Sequence, residues 1–310
     1  MSEKTDLYLL TGFLGAGKTT LLTNILNDLS GESVGVIMNE FGKIGIDGDI
    51  IKKEGMELVE INRGSIFCSC LKLNFAQAMI ELADKNLNYL FVESSGLADP
   101  SNIGDILDGV RSVKGDVYEY KGAICLVDGV NFLEQVKDLD TVERQIKHCH
   151  LAVITKVDLI DEETLANIIE VIRNINNKVD IETTVFGKLN YKFLEEDLMK
   201  NQWAENEDTI NTPDTKPKTL TLTFDGEVKK DELSRFIDEI KKDSYRIKGF
   251  FKLEDGWNQV DVVGNIIDYK PTDKNEEISQ LVIISKIGPQ IIRPIFNAWN
   301  NIFKEEMKLR

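Results

Sequence analysis

Over its first two-thirds the chain alternates short apolar runs with stretches of helical period. Residues 7–10, 34–38, 58–61, 89–92, 123–127, 151–154 and 183–186 read as strands. Several of them lack polar alternation, as expected for parallel strands covered on both faces. Helical spacing fills the intervals at 20–29 (Leu21, Leu22, Ile25, Leu26, Leu29), 72–86, 102–110, 141–148, 162–176 and 191–200. This alternation predicts an α/β domain over residues 1–200, with a mostly parallel sheet and ligands at the carboxyl ends of its strands. Residues 201–218 are polar, contain Pro213 and Pro217, show no period and read as a linker. Beyond them, strands are predicted at 219–224, 245–253, 259–263 and 281–285. Helices are predicted at 231–241 and 289–303, the latter with Ile291, Ile292, Ile295, Phe296 and Trp299 on its buried side. Residues 219–310 therefore form a smaller α+β domain.

Between the first run and the first helix lies Thr11-Gly12-Phe13-Leu14-Gly15-Ala16-Gly17-Lys18-Thr19-Thr20. Residues 12–19 satisfy G-x-x-x-x-G-K-[ST] in the strand–turn–helix setting that this phosphate-binding pattern requires. Gly12, Gly15, Ala16, Gly17, Lys18, Thr19 and Thr20 are the predicted phosphate cradle. The Lys18 ammonium reaches the β/γ-phosphates, and the Thr19 hydroxyl ligates Mg²⁺. The run at 89–92 ends in Glu93-Ser94-Ser95-Gly96-Leu97-Ala98-Asp99-Pro100. An acid at the end of such a strand stands beside Mg²⁺ and the γ-phosphate, so Glu93 is, with Lys18, a candidate catalytic residue. Gly96 permits close backbone approach, and Asp99 can cap a helix begun by Pro100. Thr155-Lys156-Val157-Asp158 follows the run at 151–154. The Asp158 carboxylate can accept from two guanine donors that adenine lacks, while the Lys156 stem covers the base and Thr155 ties the segment to the phosphate loop.

Composition narrows the setting. A net charge of −16, from 53 acidic and 37 basic residues, argues against nucleic acid or an anionic membrane as partner. No apolar run is long enough to span a bilayer and residues 1–6 are polar, so a cytoplasmic location is expected. Of four cysteines, Cys125 sits in an apolar run and reads as core, while Cys68 and Cys70 form a tight pair suited to metal or redox chemistry. His148-Cys149-His150 alternates ligand types at a helix-to-strand junction, where a structural role is the commoner one.

The motifs at 12–20 and 93–100, with Asn39-Glu40-Phe41-Gly42-Lys43-Ile44-Gly45-Ile46-Asp47 between them, resemble the CobW-type GTPases, relatives of the nickel-insertion GTPases of urease and hydrogenase. Tyr245-Arg246-Ile247-Lys248-Gly249-Phe250 and Trp257-Asn258-Gln259-Val260 resemble that family's C-terminal domain. The resemblance implies slow GTP hydrolysis coupled to delivery of zinc or cobalt to a client metalloprotein or metallocofactor enzyme, with a nucleotide-dependent dimer as a candidate assembly. It makes residues 39–47 the γ-phosphate sensor, with Glu40 and Asp47 as candidate acids. The family's Cys-x-Cys-Cys motif is here Gly64-Ser65-Ile66-Phe67-Cys68-Ser69-Cys70, so two thiolates remain, with Glu40 as a further candidate metal ligand. A GTP-switched binding protein that remodels a metallo- or corrinoid protein without carrying metal stays open as the alternative.

Overall fold

A computed structural model of the protein describes residues 4–40, 56–62, 72–208, 217–273 and 276–310. The chain divides into two units, Met1–Thr215 and Lys216–Arg310. In the first, the strands are β1 (Thr5–Gly12), β2 (Val34–Glu40), β3 (Met56–Asn62), β4 (Tyr89–Glu93), β5 (Tyr118–Asp128), β6 (Leu151–Thr155) and β7 (Asp180–Thr184). They pair in the order β3-β2-β4-β1-β5-β6-β7, every pair parallel. Helices α1 (Lys18–Asp28), α2 (Lys72–Leu82), α3 (Ile103–Lys114), α4 (Phe132–Asp138), α5 (Asp140–Lys147) and α6 (Glu162–Ile175) connect them. The strands are apolar because both faces are covered: Leu7, Tyr8, Leu9 and Leu10 are all fully buried. The expected α/β architecture, with a P-loop at the end of a central strand, is the one observed.

Local differences have physical causes. Residues 191–200 form two 3₁₀ turns, Lys192–Leu194 and Leu198–Asn201, instead of a helix. Their helical spacing is real, but Phe193 and Leu198 serve as separate plugs, both about fully buried, for the core around α1. Helix α4 has no counterpart in the predicted elements; it is a seven-residue helix with only Phe132 and Gln135 buried, too short to show a period. Residues 201–208, expected to start a linker, are tied to the first unit. Asn201 Nδ2 donates to the His150 carbonyl at 3.0 Å, and the Glu207 amide to the Ser101 carbonyl at 3.0 Å.

The second unit is an antiparallel sheet with two helices. Strands β8 (Thr219–Phe224), β9 (Ser244–Leu253), β10 (Gly256–Val263), β11 (Ile266–Pro271), β12 (Ser279–Ser285) and β13 (Lys308–Leu309) pair in the order β11-β10-β9-β12-β8-β13. Helices α7 (Lys230–Ile240) and α8 (Ile292–Ile302) close one face. Trp299 is fully buried there and packs its ring against Phe224, Phe236 and Phe303. Its indole N–H donates to the Glu305 carbonyl at 2.8 Å, so burial leaves no orphan donor. Ile292 and Phe296, expected on the buried side of this helix, are 38% and 40% exposed. The core stripe runs through Ile291, Ile295, Ala298 and Trp299, and Ile292 and Phe296 lie about 100° round the helix from Ile291 and Ile295. Among the described residues, no helix is long and apolar enough to cross a membrane.

Candidate functional site

The carboxyl end of β1 turns through the glycine-rich segment into α1. A Cβ at Gly12 (φ +127°) would lie 2.3 Å from the Leu126 carbonyl oxygen of β5, so only glycine lets the loop leave the sheet there. Gly15 and Gly17 also take positive φ, 77° and 94°. Gly17 is the N-cap of α1 and supplies no side-chain cap, so the helix dipole and its first amides face the loop's concavity. The Lys18 ammonium lies over that concavity, donating to the Gly12 and Phe13 carbonyls at 2.8 and 3.1 Å. Thr20 is exposed on the first turn of α1. Cationic, lined by backbone and closed to side chains, the loop has the chemistry that a polyphosphate cradle requires.

The second motif meets the first directly. Thr19 Oγ1 donates to Glu93 Oε1 at 2.8 Å, bringing the candidate Mg²⁺ ligand and the candidate acid together at the ends of α1 and β4. Downstream, a Cβ on Gly96 would stand 2.6 Å from the Leu14 amide nitrogen, so the 93–99 loop is pressed against the phosphate loop. Asp99 is fully buried; it N-caps the 3₁₀ turn Pro100–Asn102 through the Ser101 amide at 3.1 Å.

The third motif leaves β6 beside them. The Thr155 hydroxyl lies 3.0 Å from the Ala16 carbonyl and 3.2 Å from that of Val127, tying this segment to the phosphate loop as its position suggests. Lys156 is left-handed (φ 58°), which turns the chain sharply at the sheet edge and leaves Asp158 exposed on the next 3₁₀ turn. The Lys156 ammonium is held at 2.8 Å by Asp128, whose side chain is fully buried at the end of β5. Asp128 was not among the residues predicted from sequence. It also accepts from the Val130 amide and from Asn131 Nδ2, so it orients Lys156 from a fixed base. The available signal was an acid directly after a buried apolar run, in the same relation as Glu93 to β4.

Helix α5 supplies two further side chains with no local signature. Gln145 Nε2 donates to the Gly96 and Ala98 carbonyls at 3.3 and 2.9 Å, and Arg144 Nε to Asp99 Oδ2 at 2.9 Å. Both therefore hold the 93–99 loop from outside.

Cys68, Cys70 and Asp47 lie outside the described residues, and Glu40 is described only as the last residue of β2. The His148–His150 segment does not assemble a metal site. His150 Nδ1 accepts the Ala123 amide at 3.0 Å, so the neutral ring carries its proton on Nε2 and offers no second lone pair. Burial, then His148, push its pKa down to about 4. The Cys149 thiol donates to the Ile146 carbonyl, and burial pushes its pKa well up. Among the described residues, no three His, Cys, Asp or Glu side chains are grouped to hold a metal.

These motifs, in this order on one sheet edge, have counterparts in known proteins. The model of the CobW/HypB/UreG nucleotide-binding domain matches residues 6–183. The chain belongs to the CobW/HypB/UreG family. The CobW-type C-terminal domain matches residues 218–299, within the second unit. A protein named zinc chaperone YjiA from Escherichia coli (strain K12) is 29% identical over 270 residues, spanning 79% of this chain and 81% of its own. A protein named zinc chaperone CobW from Sinorhizobium sp is 33% identical over 184 residues, 50% of this chain and 52% of its own. Among solved structures, that of Zn(II)-bound YjiA GTPase from E. coli is similar at 22% identity and a TM-score of 0.48, over 97% of this chain and 100% of that one.

Proposed function

We propose that this CobW/HypB/UreG-family protein is a GTPase whose nucleotide state governs delivery of a transition metal, zinc or cobalt, to a client metalloprotein. The observation that carries the reading is the 2.8 Å contact between Thr19 and Glu93, which joins the phosphate cradle to a carboxylate at the end of the neighbouring strand. Relatives named zinc chaperone and zinc-regulated GTPase metalloprotein activator support the metal half of it.

The residues fit GTP and Mg²⁺. The closed glycine loop, the uncapped start of α1 and the Lys18 ammonium suit the phosphates, while the Thr19 hydroxyl and the Glu93 carboxylate are hard oxygen donors suited to Mg²⁺. Mg²⁺, when bound, neutralises charge that develops on the phosphate oxygens. Lys18 exchanges its two carbonyl partners for phosphate oxygens. Glu93 holds the proton-bearing partner at the reacting end, and Gln145 and Arg144 keep the loop behind it in place. Asp158 selects guanine, and Lys156, braced by Asp128, covers the base. Slow hydrolysis that a partner accelerates is part of the same reading.

Cys68 and Cys70 are the proposed cargo ligands, with Glu40 as a further donor; two thiolates suit Zn²⁺ or Co²⁺ and leave positions for water or the client. By linkage, GTP·Mg²⁺ and the cargo metal tighten each other's binding by one common factor, about 5–150-fold for a coupling of 1–3 kcal/mol. The test is a competition titration of Zn²⁺ and Co²⁺ against the protein with GDP, with a non-hydrolysable GTP analogue, and with the C68S/C70S variant. Metal affinity indifferent to both nucleotide and substitution overturns cargo delivery and leaves a GTP-switched binding protein. Asp158→Asn, run alongside, lowers GTP affinity by roughly 2–4 kcal/mol and improves relative binding of xanthosine triphosphate. Equal binding of ATP and GTP by the wild type overturns the base assignment.

A further inference from the structure

The guanidinium of Arg144 has two clients. Its Nε donates to Asp99 Oδ2 at 2.9 Å, Nη1 to Glu207 Oε2 at 2.9 Å and Nη2 to the Asp208 carbonyl at 2.9 Å. Asp99 ends the loop that begins at Glu93 and presses on the phosphate loop at Gly96. Glu207 and Asp208 end the described segment that leads out of the first unit. One planar fork therefore fixes two chain segments against each other, and Lys147 adds a second cation on Glu207.

We propose that Arg144 is a positioning residue for GTP hydrolysis, coupling the Glu93–Asp99 loop to the docking of residues 201–208. This rests on the GTPase reading above and adds its regulation. A guanidinium cannot bend, so a displacement of Asp99 by even 1 Å misaligns the other two donors. The Asp99 side chain is fully buried and that of Arg144 only 15% exposed, so neither exchanges its partner for water without cost. The other end of the device is built to let go. The Glu207 side chain is 34% exposed, and residues 202–206 lie over a cavity of about 190 Å³ against Ser101, Gly104 and Tyr120 rather than on packed core. Asn206 adds one exposed hydrogen bond, to Asp105 at 2.7 Å. When the loop moves with nucleotide state, the segment is the side that yields. By reciprocity, whatever holds the segment in its dock also holds the loop in place for hydrolysis.

Trp203, 43% exposed in this segment, is a built-in reporter. The experiment compares the full-length wild type with Glu207→Ala, Arg144→Lys and, as a control, Glu196→Ala, which removes an exposed ion pair with Lys200. GTP affinity, single-turnover hydrolysis and tryptophan emission with GDP or a non-hydrolysable GTP analogue are measured; a Trp203→Phe protein isolates the reporter's share. Glu207→Ala and Arg144→Lys are expected to keep GTP affinity within about twofold, to slow hydrolysis about 3–10-fold, and to abolish the emission difference between nucleotides; Glu196→Ala changes none of these. Wild-type protein that binds GTP with Trp203 emission indifferent to nucleotide, and Glu207→Ala that hydrolyses at the wild-type rate, overturn the coupling alone. Wild-type protein that does not bind GTP overturns the GTPase reading itself, which separates the two failures.

Discussion

Gly96→Ala adds one methyl group where two nucleotide motifs touch. The new Cβ would lie 2.6 Å from the Leu14 amide nitrogen and from Leu14 Cδ2. The Cδ2 contact relaxes by a rotamer change; the amide contact does not, because Leu14 belongs to the phosphate loop and is 4% exposed. Opening 2.6 Å to an ordinary 3.4 Å requires a shift of about 0.8 Å in one of two backbones. Retreat of the 93–99 loop strains the Gln145 hydrogen bonds to Gly96 and Ala98, and advance of the phosphate loop distorts the cradle. Overpacking of this kind costs roughly 1–3 kcal/mol of stability. Misplacement near 1 Å at a reacting centre costs up to about 100-fold in rate, so single-turnover GTP hydrolysis is expected to fall about 10–100-fold. Gly109→Ala is the matched control: nothing stands within 4 Å of its Cβ on α3, and alanine there should stabilise by about 0.5–1 kcal/mol with no loss of rate. Hydrolysis by Gly96→Ala within twofold of wild type would refute the idea that this contact sets the loop's position.

Three further outcomes are expected. Asp128→Asn places an amide donor against the Lys156 ammonium and the Asn131 amide, which should weaken GTP binding by about 2–3 kcal/mol in isothermal titration; unchanged affinity means Lys156 needs no brace. Glu93→Gln should bind GTP better than it hydrolyses it, and parallel losses of both would count against a role at the reacting end. His150, held neutral by burial and by His148, titrates near pH 4 folded against about 6.5 unfolded; Tyr120 and Asp197 also face it. Its contribution is complete above about pH 6.5 and declines as pH falls toward 4, by about 2 kcal/mol between pH 7 and 5. Urea unfolding of His150→Gln, whose side-chain carbonyl can still accept from Ala123, should lose that much less over the same interval.

What the chain declared of itself was whatever is local. Leu7–Leu10, the Gly12–Thr19 loop and the helix after it fall within one window, so apolar period and glycine placement reveal strand, turn and cradle together. Glu93 and Asp158 were legible because they sit one and four residues past the apolar runs at 89–92 and 151–154. Arg144 and Gln145 were not, because their partners at 96–99 and 207–208 lie tens of residues away and no spacing announces them. Residues 191–200 misled for a related reason: Leu194 and Leu198 recur four apart as a helix face would, yet Phe193 and Leu198 each fill their own gap in the core. β11 escaped notice because an edge strand has one partner and little to bury; its first residue, Ile266, is 48% exposed.

The place of β1 in its sheet also has a bearing on how the protein is made. It pairs with two strands that are made much later, β4 and β5, Leu7 with Leu90 and Gly12 with Leu126. At translation speeds of about 5–20 residues per second, roughly 6–23 s pass between synthesis of Gly12 and of its partner. β4 can cover one flank once residue 93 is made, but the other flank of Leu7, Tyr8, Leu9 and Leu10, all destined for the interior, stays open until β5 follows. In the second unit β9, β10 and β11 pair each with the next across short turns, whereas β8 waits for β12, pairing Phe224 with Ser279. The segment that shapes the nucleotide cradle is thus made well before either of its flanking strands, and it depends on its surroundings until residue 126 arrives.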